Sequence, residues 1–316
     1  VTAYILRRLL QLIPVLFGIS LVVFLIMALL PGDPALAILG PYATPESLAS
    51  LRRELGLDQP LWQRFFIWLD NLLQGDLGRS VTLQRPVIDE IGERIGPTVL
   101  LAATALVFSV VLGLAAGIIA AAHRREWQDQ VLTLAVLLGI STPQFWLALL
   151  LILVFAVWIH WLPVSGMFSV YAGGDLTDLV RHLVLPATSL AVVVTGVLAR
   201  LSRTAMLEEL SQDYVRMARA KGLTERSVVY KHAFLNMLAK MVPVIALQAG
   251  FLLGGAVYIE TVFQWPGMGR MLVDAISTRD LLLVQGGVLV MASAYVLVNL
   301  LADVLQQLLD RRIRLG

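Results

Sequence analysis

Long stretches free of Asp, Glu, Lys, Arg and His alternate along this chain with shorter charged ones. Six apolar runs stand out: Leu9–Leu30, Thr98–Ala122, Val131–Ile159, Leu183–Ala199, Met241–Ile259 and Leu281–Ala302. A helix needs about 20 such residues, within a range of about 17–25, to cross a bilayer. The pattern therefore predicts an all-α membrane protein with six transmembrane helices. The fourth run is the weakest, being short and carrying Pro186 and Gly196. The third is long enough to tilt or to end in an interfacial Trp158–Trp161 cluster, and Pro143 is expected to kink it.

Between the first two runs lies a polar segment with helical signals of its own. Thr44-Pro45-Glu46 sets a capping hydroxyl, a first-turn proline and an acid in the order that starts a helix, which should run to about Leu55 before Gly56. Pro60 opens a second helix, in which Leu61, Trp62, Phe65, Phe66, Leu69, Leu72 and Leu73 recur at spacings of three and four. That stripe must rest on something apolar. Packing on the outer ends of the spans, or lying in the headgroup layer, is the simplest account.

Composition agrees with the pattern. Of 316 residues 58% are hydrophobic and 15% charged, whereas soluble domains are about 45–50% apolar and about 25% charged. A soluble enzyme is excluded. With no Cys, disulfides, iron–sulfur clusters and thiolate zinc sites are excluded too.

Orientation follows from the basic residues. Segments 1–8, 123–130, 200–240 and 303–316 hold 15 of the 24 Lys and Arg. Six of the remaining nine lie in the 31–97 loop, which is longer than the roughly 60 residues over which loops obey the positive-inside rule. Both termini are therefore expected in the cytoplasm. A cleaved signal peptide competes at the N-terminus, where Arg7-Arg8 precedes the first run and Ala35-Leu36-Ala37 follows it. The run exceeds the usual signal core of about 7–15 residues, and Pro31-Gly32-Asp33-Pro34 intervenes.

Several chemistries lack their residues. Lys221, Lys231 and Lys240 are the only lysines, and none precedes Ser or Thr as a phosphate-binding loop requires. His123, His160, His182 and His232 are scattered one per segment, without the spacing of metal ligands. Ser141 and Ser165 are the candidates for a serine nucleophile, but neither sits in a Gly-x-Ser-x-Gly elbow, and Ser141 is better read as satisfying backbone beside Pro143. Ion-coupled transport predicts ionisable groups at mid-membrane depth, and the six runs contain none. An external energy source is expected.

The 200–240 segment has the highest basic density, eight Lys or Arg against four acids. Ser211 and Asp213 can cap a helix that stops at Gly222, and a second helix begins near Thr224-Glu225. Two accounts fit: a basic helix lying on anionic lipid, or an elbow inserting Ala218, Ala220 and Leu223 into a partner's groove with Arg216, Arg219 and Lys221 around it.

Four stretches carry a resemblance. Asp213-Tyr214-Val215-Arg216-Met217-Ala218-Arg219-Ala220-Lys221-Gly222-Leu223, with His232-Ala233-Phe234-Leu235-Asn236, resembles the coupling-helix motif of bacterial ABC-importer permeases of the dipeptide/oligopeptide/nickel branch. Leu6-Arg7-Arg8 through Leu30-Pro31-Gly32-Asp33-Pro34 matches the same branch. So do Glu54 through Leu61 with Gly75-Asp76-Leu77-Gly78, and Glu260-Thr261-Val262-Phe263-Gln264-Trp265-Pro266-Gly267-Met268-Gly269-Arg270. Together they span essentially the whole chain and resemble the first permease of such systems, the one with the long outer loop. The general Glu-Ala-Ala pattern of ABC permeases is replaced here by Arg216-Met217-Ala218, so the acidic group is missing.

The resemblance implies a type I permease fold. It divides the chain into a tail and first span (1–30), an extracytoplasmic helical loop (31–97), a five-span core (98–308) with its coupling segment at 200–240, and a cytoplasmic tail (309–316). It implies a non-catalytic subunit that pairs with a homologous permease, two cytoplasmic ATPases holding ATP and Mg, and an extracytoplasmic binding protein. No cofactor, metal or nucleic acid is expected on this chain. Coupling would fall to Asp213, Tyr214, Arg216, Ala218, Arg219, Ala220, Lys221, Gly222, Leu223 and His232. An outer gate would be formed by Glu260, Phe263, Trp265, Pro266, Gly267 and Arg270, with Glu260 paired to a base such as Arg270 or one on the partner permease. Small peptides are the expected substrate, with glutathione or nickel chelates as alternatives within the class, and an ion-coupled carrier as the alternative outside it. Gly113/Gly117 and Gly250/Gly254 are expected to allow close helix contacts, chiefly inside the subunit.

Overall fold

A computed structural model describes residues 2–29, 34–40, 43–54, 56–169 and 174–309. Pro31-Gly32-Asp33, Leu55 and the tail beyond 309 lie outside the described residues. Among those described, every regular element is helical apart from one antiparallel bridge between Arg79 and Pro86. In chain order the helices are α1 (Thr2–Leu29), α2 (Pro34–Leu39), α3 (Pro45–Glu54), α4 (Leu61–Leu73), α5 (Val87–Ala122), α6 (Trp127–Ser141), α7 (Gln144–Leu151), α8 (Leu176–Leu210), α9 (Asp213–Ala220), α10 (Glu225–Ser227), α11 (Phe234–Val262), α12 (Met268–Ser277) and α13 (Leu281–Leu309). Wider π turns continue α7 over Ile152–Trp158 and join α10 to α11 over Val228–Ala233.

Five segments are each long and apolar enough to cross a membrane: Leu10–Leu29, Val87–Ala122, Leu176–Leu210, Glu225–Val262 and Leu281–Val304. A sixth candidate is a broken pair, Trp127–Ser141 and Gln144–Trp158, bent by 106°. The third apolar run is thus more than kinked. Pro143 has no N–H to continue the ladder, and it is Thr142, not Ser141, that satisfies backbone there, its hydroxyl donating to Leu138 O at 2.7 Å.

The fourth run, least convincing by hydropathy, belongs to the most buried span, with 67% of its apolar window inside the protein. A helix surrounded by other helices needs small residues for contact more than it needs lipophilic ones. That is why α8 carries buried Ala187, Ser189, Ala191, Gly196, Ala199 and Ser202. It also outruns its apolar stretch at both ends, opening at Asp175, whose carboxylate accepts the Asp178 N–H at 2.7 Å.

The chain forms two compact units. The first, residues 97–266 with α13 from Leu297 onward, centres on α8. A Cβ on Gly113 would meet Leu198 at 2.8 Å, and one on Gly117 would collide with Ser202. The expected close contact is therefore real and internal. On α11 the tight position is Gly255, facing Leu190 and Gln144, whereas Gly254 faces open space.

The second unit contains 2–96 and 267–296. Thr44 and Ser47 bond reciprocally at the start of α3, and Gly56 follows it at φ +62°. On α4 only Phe65 of the apolar stripe is buried. Its ring meets Phe17 and Phe24 of α1, with centroids 5.7 and 5.3 Å apart. Asp280, 1% exposed, ties the 80–82 loop to the start of α13, accepting from the Ser80 hydroxyl at 2.5 Å, the Thr82 hydroxyl at 2.7 Å and the Leu283 N–H at 3.2 Å.

Candidate coupling site

The basic segment between α8 and α11 folds as an elbow whose inner face is glued to the chain itself. Val215 and Ala218 lie one turn apart on α9 and pack on Val228 and Leu210. Ala218, expected to enter a partner's groove, therefore faces inward. The reason is its register: it shares a face with Val215, the only fully apolar branched side chain on this short helix. The apolar groups left outward are Met217 and Leu223, among the exposed Arg216, Ala220 and Lys221. His232 is exposed on the π turn.

A single carboxylate joins three helices. Glu209, at the end of α8, accepts the Tyr214 hydroxyl of α9 at 2.6 Å and the Lys240 ammonium of α11 at 2.7 Å. Burial, and then the bond to Glu209, raises the Tyr214 phenol above its ordinary value, so it stays protonated and donates. Arg219 forks onto Glu225 at 2.6 and 3.1 Å, an exposed pair of the kind worth about 0–1 kcal/mol. Arg216 and Asp213 are 3.4 Å apart and almost fully solvated.

The helix stop has the geometry its sequence promised. Gly222 adopts φ +77°, its N–H donates to Arg219 O at 2.9 Å, and the Leu223 N–H donates to Ala218 O at 3.3 Å. These two bonds form the Schellman pattern. Ser211, expected to cap α9, instead donates to Glu208 O and closes α8.

A further ion pair joins α6 and α8. Arg203 of α8 forks onto Asp129 of α6 at 2.7 and 2.8 Å, and Asp129 also accepts the Arg125 N–H at 3.0 Å. Sequence reading missed Asp129, Arg203, Glu209 and Lys240, because each partner sits in a different segment and no local spacing links them.

At the other candidate site, Glu260, Phe263 and Trp265 are all fully buried. Thr98 donates to Glu260 at 2.6 Å, the Trp265 indole donates to Pro97 O at 3.0 Å, and Gly166 N–H donates to Phe263 O at 2.8 Å. Gln264 turns the chain at φ +50°. Gly267 caps α12, on which Arg270 lies 3.7 Å from Asp274. Pro266 is half-buried.

The elbow thus joins the end of α8 to α9 and α11 through one carboxylate. Residues 113–315 match the family described as "Binding-protein-dependent transport system inner membrane component", and residues 1–102 match "Binding-prot-dependent transport system membrane comp, N-term". The chain belongs to this family. It is a multi-pass inner-membrane permease of the ABC-importer class.

The permease is 44% identical over 311 residues to the glutathione transport system permease protein GsiC of Escherichia coli strain K12, with 98% of each chain covered. It is 43% identical, over the same span and coverage, to GsiC of Shigella flexneri serotype 5b. Its fold resembles two solved forms of the MetNI methionine ABC transporter in inward-facing conformations, at TM-scores of 0.59 and 0.56 and 16% identity. Those matches cover 70% of this permease and 96–97% of the solved chains. An amino acid ABC transporter matches at TM-score 0.52 and 13% identity. The reading as an ion-coupled carrier is set aside by the family.

Proposed function

We propose that this permease forms half of an ATP-driven importer of small peptides, with glutathione the first member of that class to test. The similarity to GsiC over almost the full length supports the substrate class. A second permease subunit, two ATPases that bind ATP and Mg, and an extracytoplasmic binding protein complete the assembly. The chain itself is non-catalytic.

The observation that carries the mechanism is the Glu209 knot. Because one carboxylate holds α8, α9 and α11 together, an ATPase pushing on the exposed face of α9 would move two spans as one body and reorient the pathway. Met217, Leu223, Arg216 and Lys221 offer that face. Both termini are assigned to the cytoplasm, which requires the bent α6–α7 pair to cross once as a broken span. Glu260, Phe263, Trp265, Pro266, Gly267 and Arg270 are proposed to build the outer gate, its buried aromatic pair fixing the segment that carries the carboxylate.

The experiment is purification of the native complex with its partners, followed by a ligand screen on the soluble binding protein. Glutathione or dipeptide binding supports the reading. Retention of a nickel chelate with no peptide binding overturns the substrate class, and solute uptake by this chain alone overturns the assembly.

A further inference from the structure

The second unit contains a cavity of about 530 Å³, within the range of about 300–1,000 Å³ that small ligands occupy. Its lining includes Met27 and Ala28 of α1 and Leu281 and Leu282 of α13, residues at the ends of two spans, together with Arg53, Arg64 and Arg279. Among the described residues no carboxylate lines it, and none of the three arginines has an ion pair. Asp280, beside Arg279 in the chain, turns its oxygens onto Ser80, Thr82 and the Leu283 N–H.

Gln285 supplies an independent observation. It lines the same cavity, is 7% exposed, and its amide Nε2 is buried without a hydrogen-bond partner. Buried donors are almost always satisfied, so an orphan one at a cavity wall calls for an acceptor from outside the chain. An acceptor that also draws three guanidinium groups is anionic, and phosphate suits the guanidinium fork. The apolar floor at the span ends is where a phospholipid's glycerol and upper acyl chains would lie.

We propose that this cavity is a binding site for the phosphate headgroup of an anionic phospholipid, in the leaflet reached by these ends of α1 and α13. Arg64 and Arg279 hold the phosphate, and the Gln285 amide donates to it or to the adjoining ester oxygen. The lipid thereby joins the α3–α4 loop to the two spans.

The test uses the complete purified importer, delipidated in detergent. Phosphatidylglycerol, phosphatidylethanolamine, inorganic phosphate and glutathione are titrated separately, with bound lipid read by native mass spectrometry and thermal stability read in parallel. Phosphatidylglycerol should bind and raise the melting temperature, whereas phosphate alone should do neither at matched concentration. R64Q/R279Q should weaken phosphatidylglycerol binding at least tenfold, and R64K/R279K should recover part of it. Should the double variant fail to assemble, Q285L is read in its place and should weaken binding several-fold. Equal binding of phosphatidylethanolamine, unchanged affinity in the variants, or a response to glutathione or free phosphate in place of lipid would each overturn the proposal.

Discussion

Replacing Gly222 isolates the elbow's role, because the cost is conformational and nothing else. A Cβ added there meets no atom within 4 Å, so no clash confuses the outcome. The backbone, however, sits at φ +77°, where an L-residue costs about 1–2 kcal/mol and a β-branched one lies at the unfavourable end. If that cost is met by leaving the Schellman geometry, the Leu223 N–H loses Ala218 O and the exposed face of α9 changes direction. A penalty of about 1–2 kcal/mol lowers the ratio of ordered to reoriented elbow roughly 5–30-fold. Gly222→Val should therefore reduce ATP-driven uptake in proteoliposomes by up to that factor while inserting into the membrane at the normal level. Gly222→Asn, which tolerates the left-handed region, should retain most activity. Wild-type uptake by Gly222→Val, measured with the complete complex, would refute the view that elbow geometry transmits the stroke.

Four further outcomes follow from the same contacts. Ala218→Glu buries a charge against Val215 and Val228 and should uncouple ATP hydrolysis from uptake, whereas Ala218→Ser should be tolerated; equal effects of the two would argue for a partner contact. Arg203→Ala strands the buried Asp129 carboxylate, a change that costs about 3–5 kcal/mol where a buried pair is broken, and the D129N/R203Q double variant should recover thermal stability in detergent. Glu260→Gln should lower uptake and alter basal ATPase, and if both stay at wild-type values the gate assignment is lost. At Asp280, burial acts to raise the carboxyl, but the bonds from Ser80, Thr82 and Leu283 together leave it below its ordinary value. Its stabilising contribution is therefore complete above the unfolded value of about 3.9 and disappears as the pH falls through the lower folded value. Limited proteolysis of the 79–85 loop across that acid window should report the loss, and Asp280→Asn should flatten the profile.

What could be read from sequence was whatever is local. The α3 cap, the proline opening α4, the left-handed stop at Gly222 and the five unbroken candidate spans are each set by residues within one or two turns. The bend at Pro143 was legible in kind but not in size, since a proline breaks the ladder without specifying where the next helix goes. Ala218 was misdirected because the basic residues on α9 suggested an outward face, while the register with Val215, which decides the matter, depends on Val228 beyond the turn. Glu209, Lys240, Asp129 and Arg203 were invisible for a related reason. Each is an ordinary charged residue near a span end, and only the packing of α6, α8 and α11 brings it to its partner.

The contacts of α8 explain why the span with the shortest apolar run is also the most buried. Along its length it meets α5 at Gly113 and Gly117, α6 at its own Gly196 and α11 at Leu190 opposite Gly255, all approaches too close for an added Cβ without displacement. Close backbone packing leaves few soft side chains to absorb a displacement, and packed cores shift between discrete arrangements rather than deforming continuously. Below these contacts the Asp129–Arg203 fork and the Glu209 knot fasten the charged end to α6, α9 and α11. On the coupling proposed above, a force applied to α9 would reach α8 through the Glu209 bonds, and α8 would carry it to three neighbours through these close contacts. A more lipophilic α8, rich in Leu and Ile, would score better as a span and would transmit less, because the larger side chains would hold the neighbouring backbones apart.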